Sequence, residues 1–310
     1  MNTSLVLMSK LASMMLVAAV GFATVRTGIL EERDKAQLSR LTLYVLQPCL
    51  IVLSFQIDLT SARMQGFIAA LVFSVVVHVL FIAVAALLGR MGLLGVVEEL
   101  SLIYTNCGNL ILPIVAMTMG EEMVFYASAY QLTYNLLFWT HGNSRMSGAR
   151  SVEWKKILLN PNVIAIFAGM FLLVTGIRIP GILRTSMEML EGMVGPCCML
   201  VIGMTMAGSS LQEVLSFRKA WLVCFLRLLV LPMLVMAVLR LSGFLNRFPE
   251  LVPVLRVSFL AAAAPPGANV AQTAVLYNRE PVRAGVYNLM GMLFCMLTMP
   301  LIDYLYAVIF

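Results

Sequence analysis

Two short stretches hold the residue types able to recognise a ligand. "TNCGNLILP" gathers Asn106, Gly108, Asn109 and Pro113 into eight residues, and "AAAAPPGANVAQ" sets Pro265, Pro266, Gly267 and Asn269 side by side. Both lie inside long apolar runs. A proline within a helix removes a donor and clashes with the preceding turn, and a glycine loosens the backbone, so each helix should break or unwind there. The second half of a broken helix presents bare N–H groups at a positive dipole end. Such breaks are tolerated at membrane depth where they line a cavity. Two of them crossing in opposite senses at the midplane form an anion-binding centre, with Asn106, Gly108, Asn109, Pro113, Pro265, Pro266 and Asn269 as candidate substrate-binding residues. The plainer reading, in which Pro113 and Pro265 are kinks and the asparagines bond neighbouring helices, suits one such helix better than a symmetric pair.

Charge inside a membrane span is usually functional. His78 and Arg227 fall within apolar runs, 149 residues apart. His78 is a candidate for carrying a coupling proton and Arg227 for attracting a carboxylate. Against these stand a histidine that merely bonds a neighbour and an arginine that snorkels to the interface, as Lys10 does. No Asp or Glu lies at the centre of a span, Asp303 being near the outer end of the last, so no coupling ion is evident. Glu121 and Glu122 mark the membrane surface. Catalysis is not indicated: His78 and His141 are far apart, and no G-x-S-x-G or H-E-x-x-H motif is present. Six cysteines in apolar segments make no C-x-x-C pair, hence no metal site, disulfide framework or cofactor is expected.

The elements that position these residues follow from composition. Of 310 residues, 61% are hydrophobic and 12% charged, roughly half the charged share of a soluble domain. Runs such as "FIAALVFSVVVHVLFIAVAALLG" exceed the about 20 apolar residues that span a bilayer. The fold class is an all-α polytopic membrane protein. The net charge of +6 is no nucleic-acid signal, because the basic residues sit mostly in short loops. Ten spans are predicted, at 5–25, 38–56, 66–88, 99–119, 122–140, 161–178, 187–208, 219–240, 254–276 and 285–308. The first resembles a secretory signal but is long, and is read as an uncleaved helix.

Loops after the odd-numbered spans carry Arg26, Arg33, Lys35, Arg40, Arg90, Arg145, Arg150, Lys155, Lys156, Arg218, Lys219, Arg279 and Arg283. The opposite side has Arg63, Arg178, Arg184, Arg240, Arg247 and Arg256. That bias puts the first set in the cytoplasm and both termini outside the cytoplasmic (inner) membrane of a multi-pass protein. The polar stretch 141–160 separates a first five-span unit, 1–140, from a second, 161–310. Landmarks recur between them. Pro48 in "LQPCLIVLS" is matched by Pro196 in "VGPCCMLVIG" 148 residues later, and Pro113 by Pro265 after 152. Because five is odd, the second unit crosses in the opposite sense, as an inverted repeat.

"TNCGNLILPIVAMTMGEEMVFYASAY", "LLNPNVIAIFAGMFLLVTGIRIP" and "FLAAAAPPGANVAQTAVLYNREP" resemble stretches of the auxin efflux carrier family, and the likeness runs from "RTGILEERDKAQLSRLTLYVLQPCLIV" to the last span. The resemblance, to bacterial members in particular, implies two inverted five-helix repeats with broken, crossing helices 4 and 9. It implies a scaffold of helices 1, 2, 6 and 7 beside a mobile domain of helices 3–5 and 8–10, with Asn106 and Asn269 lining the site. It also implies a carboxylate substrate and a possible homodimer through the scaffold. The family often has a further glycine between Asn109 and Pro113, where this chain reads "LIL"; that departure implies a narrower cavity or a different preference. The reading is an elevator-type carrier of a small organic anion, with the lipid bilayer as its other partner and no nucleic acid. The alternatives are a passive channel and a membrane sensor on the same fold.

Overall fold

In lipid a backbone must satisfy its own polar groups, which makes helices of the apolar runs. The structure, a computed structural model, describes residues 3–148, 155, 158–208 and 216–310. Within these ranges the side chains of Lys10, Asn109, Glu121 and Gln272, among others, lie outside the description, as do Arg150 and Lys156 altogether. The helices of the first half are α1 (Thr3–Arg26), α2 (Lys35–Ser54), α3 (Ser61–Arg90), α4 (Val96–Ile103), α5 (Leu112–Met119) and α6 (Glu121–Leu137). Then come α7 (Pro161–Thr175), α8 (Gly181–Glu191), α9 (Val194–Ala207), α10 (Arg218–Ser242), α11 (Val252–Ala263), α12 (Ala268–Leu276) and α13 (Pro281–Ile309). Among the described residues α2, α3, α10 and α13 are long and apolar enough to cross a bilayer unbroken.

Three prolines leave the same mark. Each of Pro48, Pro113 and Pro232 follows a π-helical turn: Thr42–Leu46, Cys107–Ile111 and Leu226–Val230. The carbonyl that a proline ring would strike belongs to the fourth residue before it, here Tyr44, Asn109 and Leu228. In every case that residue lies inside the wider turn, which makes room for the ring without ending the helix.

Two expected boundaries differ from those observed. The span at 187–208 is two helices, α8 and α9, because Gly192 ends the first and Pro196 cannot donate in the opening turn of the second. The helix expected to stop at 140 continues from α6 through a π turn, Phe138–Gly142, into Asn143–Ser147. Gly148, at φ 74°, then terminates it. Part of the polar connection is therefore helical.

Small residues set the closest packing, as is usual between membrane helices. A Cβ on Gly203 of α9 would lie 1.8 Å from the Ala18 carbonyl oxygen, and one on Gly21 of α1 would lie 2.4 Å from that of Leu200. Helix α7 is joined to α2 by a buried amide pair, Asn162 Nδ2 donating to Gln47 Oε1 at 3.0 Å. Phe55 packs edge-on against Phe67 of α3 and Phe125 of α6. Helix α13 is tied near both of its ends: near its start the Tyr287 hydroxyl donates to buried Glu98 of α4 at 2.6 Å, and near its end buried Asp303 takes both arms of Arg256 of α11 at 2.7 Å.

Candidate substrate site

The runs around Asn106 and Pro265 break as their composition predicts, and the breaks meet. Helix α4 stops at Ile103, and Tyr104 is extended at φ −99°, ψ 119°. Helix α11 stops at Ala263, with Ala264 extended at φ −64°, ψ 156°. Thr105 and Pro266 form an antiparallel bridge. Asn106 N donates to Pro265 O, and Gly267 N to Tyr104 O, each at 2.8 Å. A side chain at 267 would not fit, since its Cβ would lie 2.8 Å from the Thr105 carbonyl oxygen. Two helices from distant parts of the chain thus satisfy each other's opened backbone.

At this crossing lie two C-terminal helix ends, of α4 and α11, and two N-terminal ends, of the Cys107–Met119 segment and of α12. Arg227 serves the former. Its Nε donates to Ala264 O at 2.9 Å, Nη1 to Leu102 O at 3.1 Å and Nη2 to Ala262 O at 2.5 Å. The guanidinium also stacks 4.9 Å from the Phe81 ring centroid. It is fully buried, far from the interfacial placement considered for it. The same carbonyls would otherwise be orphans in a low-dielectric interior.

Asn106 is buried, with its Nδ2 3.6 Å from Met292 Sδ. Asn269 opens α12 and faces the Tyr134 hydroxyl. Gly108 lies against the Gln131 amide, and Pro113, Pro265 and Pro266 are buried. The backbone of Asn109 is in the π turn, while its side chain lies outside the description. His78 is fully buried on α3: Nδ1 lies 2.8 Å from Ser74 O, and the ring is 4.9 Å from that of Tyr130. Thr105 Oγ1 faces the Tyr130 hydroxyl, and among the described residues His78 Nε2 finds no hydrogen-bond partner. A buried polar atom of that kind is the usual partner of a ligand or water. The asparagines, the paired breaks, His78 and Arg227 are therefore gathered around one crossing.

Some of its residues had not been singled out. Asn288 of α13 donates to Pro266 O at 2.7 Å; a polar residue inside an apolar run was the available signal. Tyr104 had none, yet it spans two regions. Its carbonyl belongs to the crossing, while its hydroxyl lies 2.9 Å from both Leu137 O and His141 Nδ1. His141 helps line a separate cavity of about 390 Å³, with Ile82, Gly89, Arg90, Glu99 and Arg145.

Apolar helices that break around a shared polar crossing define a multi-pass, all-helical membrane protein. The family profile described as "membrane transport protein" matches residues 6–151 and again 145–303. The chain belongs to this family, that of the auxin efflux carriers, and is a membrane transporter. No curated relative matches it significantly.

Proposed function

We propose that the chain is a secondary transporter that carries a small organic anion, a carboxylate, across the cytoplasmic membrane by an elevator movement. The observation that carries this reading is the division of labour at the crossing. Arg227 and the bridge occupy the C-terminal carbonyls of α4 and α11, whereas the N-terminal ends of the Cys107 segment and α12 keep their positive dipoles for a ligand. Asn106 and Asn269 stand at those ends and orient the carboxylate, with Gly108, Asn109, Pro113, Pro265 and Pro266 shaping the backbone around it.

The ten-span inverted repeat is supported by the opposed directions of α4 and α11. Glu98, near the start of α4, bonds Tyr287, and Arg256, in the first half of α11, bonds Asp303. Those α13 residues are 16 positions apart, about 24 Å along a helix. The two broken helices thus start from opposite ends of α13. Arg227 of α10 ties α3, α4 and α11 together, and with them α5, α6, α12 and α13 make up the moving domain. Helices α1 and α9, joined at their glycines, and α2 and α7, joined by the amide pair, make up the scaffold with α8 and offer a face for a homodimer. Both termini are extracytoplasmic, and His78 is the candidate carrier of a coupling proton.

Uptake of labelled mono- and dicarboxylates into proteoliposomes tests the proposal. Wild type should accumulate at least one acid, and Asn106→Ala or Asn269→Ala should reduce that uptake at least about tenfold, a loss of 1.4 kcal/mol or more, at unchanged protein yield. Normal uptake by both variants removes the site assignment. Single-channel currents would replace the carrier reading with a channel.

A further inference from the structure

Arg227 has an unusual set of partners for a charge in a membrane. Among the described residues no carboxylate lies within ion-pair distance of it, and it is completely buried. Its three bonded carbonyls lie at the ends of two different half-helices: Leu102 of α4, and Ala262 of α11 with Ala264 just past its last turn. Each helix C-terminus carries about half a negative charge. Two such ends side by side therefore match one guanidinium. The remaining helix ends at the crossing are both N-terminal and positive, and their complement is an anion.

We infer that Arg227 is a built-in counter-charge that takes the place of a bound metal cation at the crossing, so that the anion is carried without sodium or potassium. Two exposed helix C-termini buried at membrane depth form the kind of carbonyl-lined position that coordinates such cations. Here the position is filled covalently, by a side chain of α10 whose planar fork reaches both helices at once. Arg227 is thus a positioning residue: it touches the helix ends and not the substrate. The inference rests on the transporter reading for the nature of the cargo, but its electrostatic content concerns the protein alone.

The full-length chain, purified in detergent, is melted in sodium, potassium and N-methyl-D-glucamine chloride at equal ionic strength, as wild type, Arg227→Lys and Arg227→Gln. Wild type and Arg227→Lys should each give one Tm in all three salts. Arg227→Gln should melt lower and recover several degrees in sodium or potassium relative to the organic cation. In proteoliposomes, uptake by wild type should be indifferent to sodium and potassium, and Arg227→Lys should retain part of what Arg227→Gln loses. A wild type that needs either metal cation for stability or uptake overturns the inference. So does Arg227→Lys as damaged as Arg227→Gln, which would assign the role to shape and not charge. Should Arg227→Gln fail to fold, the other two proteins still decide. A wild type that melts as expected but moves no acid refutes the organic-acid reading of the cargo and leaves the counter-charge standing.

Discussion

The Tyr104 carbonyl accepts the Gly267 N–H at 2.8 Å, and this bond joins two helix breaks that are more than 160 residues apart in the chain. Together with Asn106 N to Pro265 O it ties the two breaks by main-chain atoms, while Arg227 and Asn288 bond the carbonyls that remain. The side chains of Asn106 and Asn269 are spared from that task.

That bond requires a bare α-carbon at 267. Gly267→Ala places a methyl 2.8 Å from the Thr105 oxygen and 3.2 Å from the Tyr134 hydroxyl. Overpacking of this sort costs about 1–3 kcal/mol. A lower Tm and a loss of uptake are expected together. Gly285→Ala on α13, where a Cβ meets nothing within 4 Å, is the control and should stay within about 0.5 kcal/mol of wild type.

The Arg256–Asp303 pair buries a carboxylate completely. Arg256→Met leaves that charge unpaired, at a cost of about 3–5 kcal/mol. Arg256→Met combined with Asp303→Leu removes both charges and should regain most of the loss. Thermal melts of Arg256→Met, Asp303→Leu and the double variant give the coupling directly; additive losses would mean that the pair contributes nothing.

Helices α1 and α9 meet backbone to backbone at Gly203 and Ala18. Gly203→Val must push them apart by more than a side-chain adjustment, because the atom it meets is a carbonyl oxygen 1.8 Å away. Its destabilisation should lie at or beyond the top of the about 1–3 kcal/mol range for overpacking. A Tm equal to that of wild type would show that this contact is not maintained in the membrane.

Orientation is open to a simple assay. Alkaline phosphatase fused after Phe310 should be active and a fluorescent protein there dark, since both termini are expected outside the cytoplasm. The reverse pattern would invert the topology drawn from the loop arginines and lysines.

The sequence by itself determined that the chain lives in a bilayer and where its helices fail. Both properties are local: hydropathy is a sum over about 20 neighbours, and Pro113, Pro265, Pro266 and Gly267 disturb only their own turns. The division of 187–208 at Gly192 and the helical continuation past 140 were missed because a glycine or a polar residue shifts a boundary by a few tenths of a kcal/mol to about 1 kcal/mol, which packing readily overrides. The tertiary structure alone decided what the breaks do. Arg227 was legible as a charge in an apolar run, but its partners were not. They are backbone carbonyls, identical in every residue, and one of them lies 125 positions away. The same holds for Asn288 on Pro266 and Tyr104 on Gly267. An opened peptide group in a low-dielectric interior must find a partner, and which distant residue provides it is settled only when the helices pack.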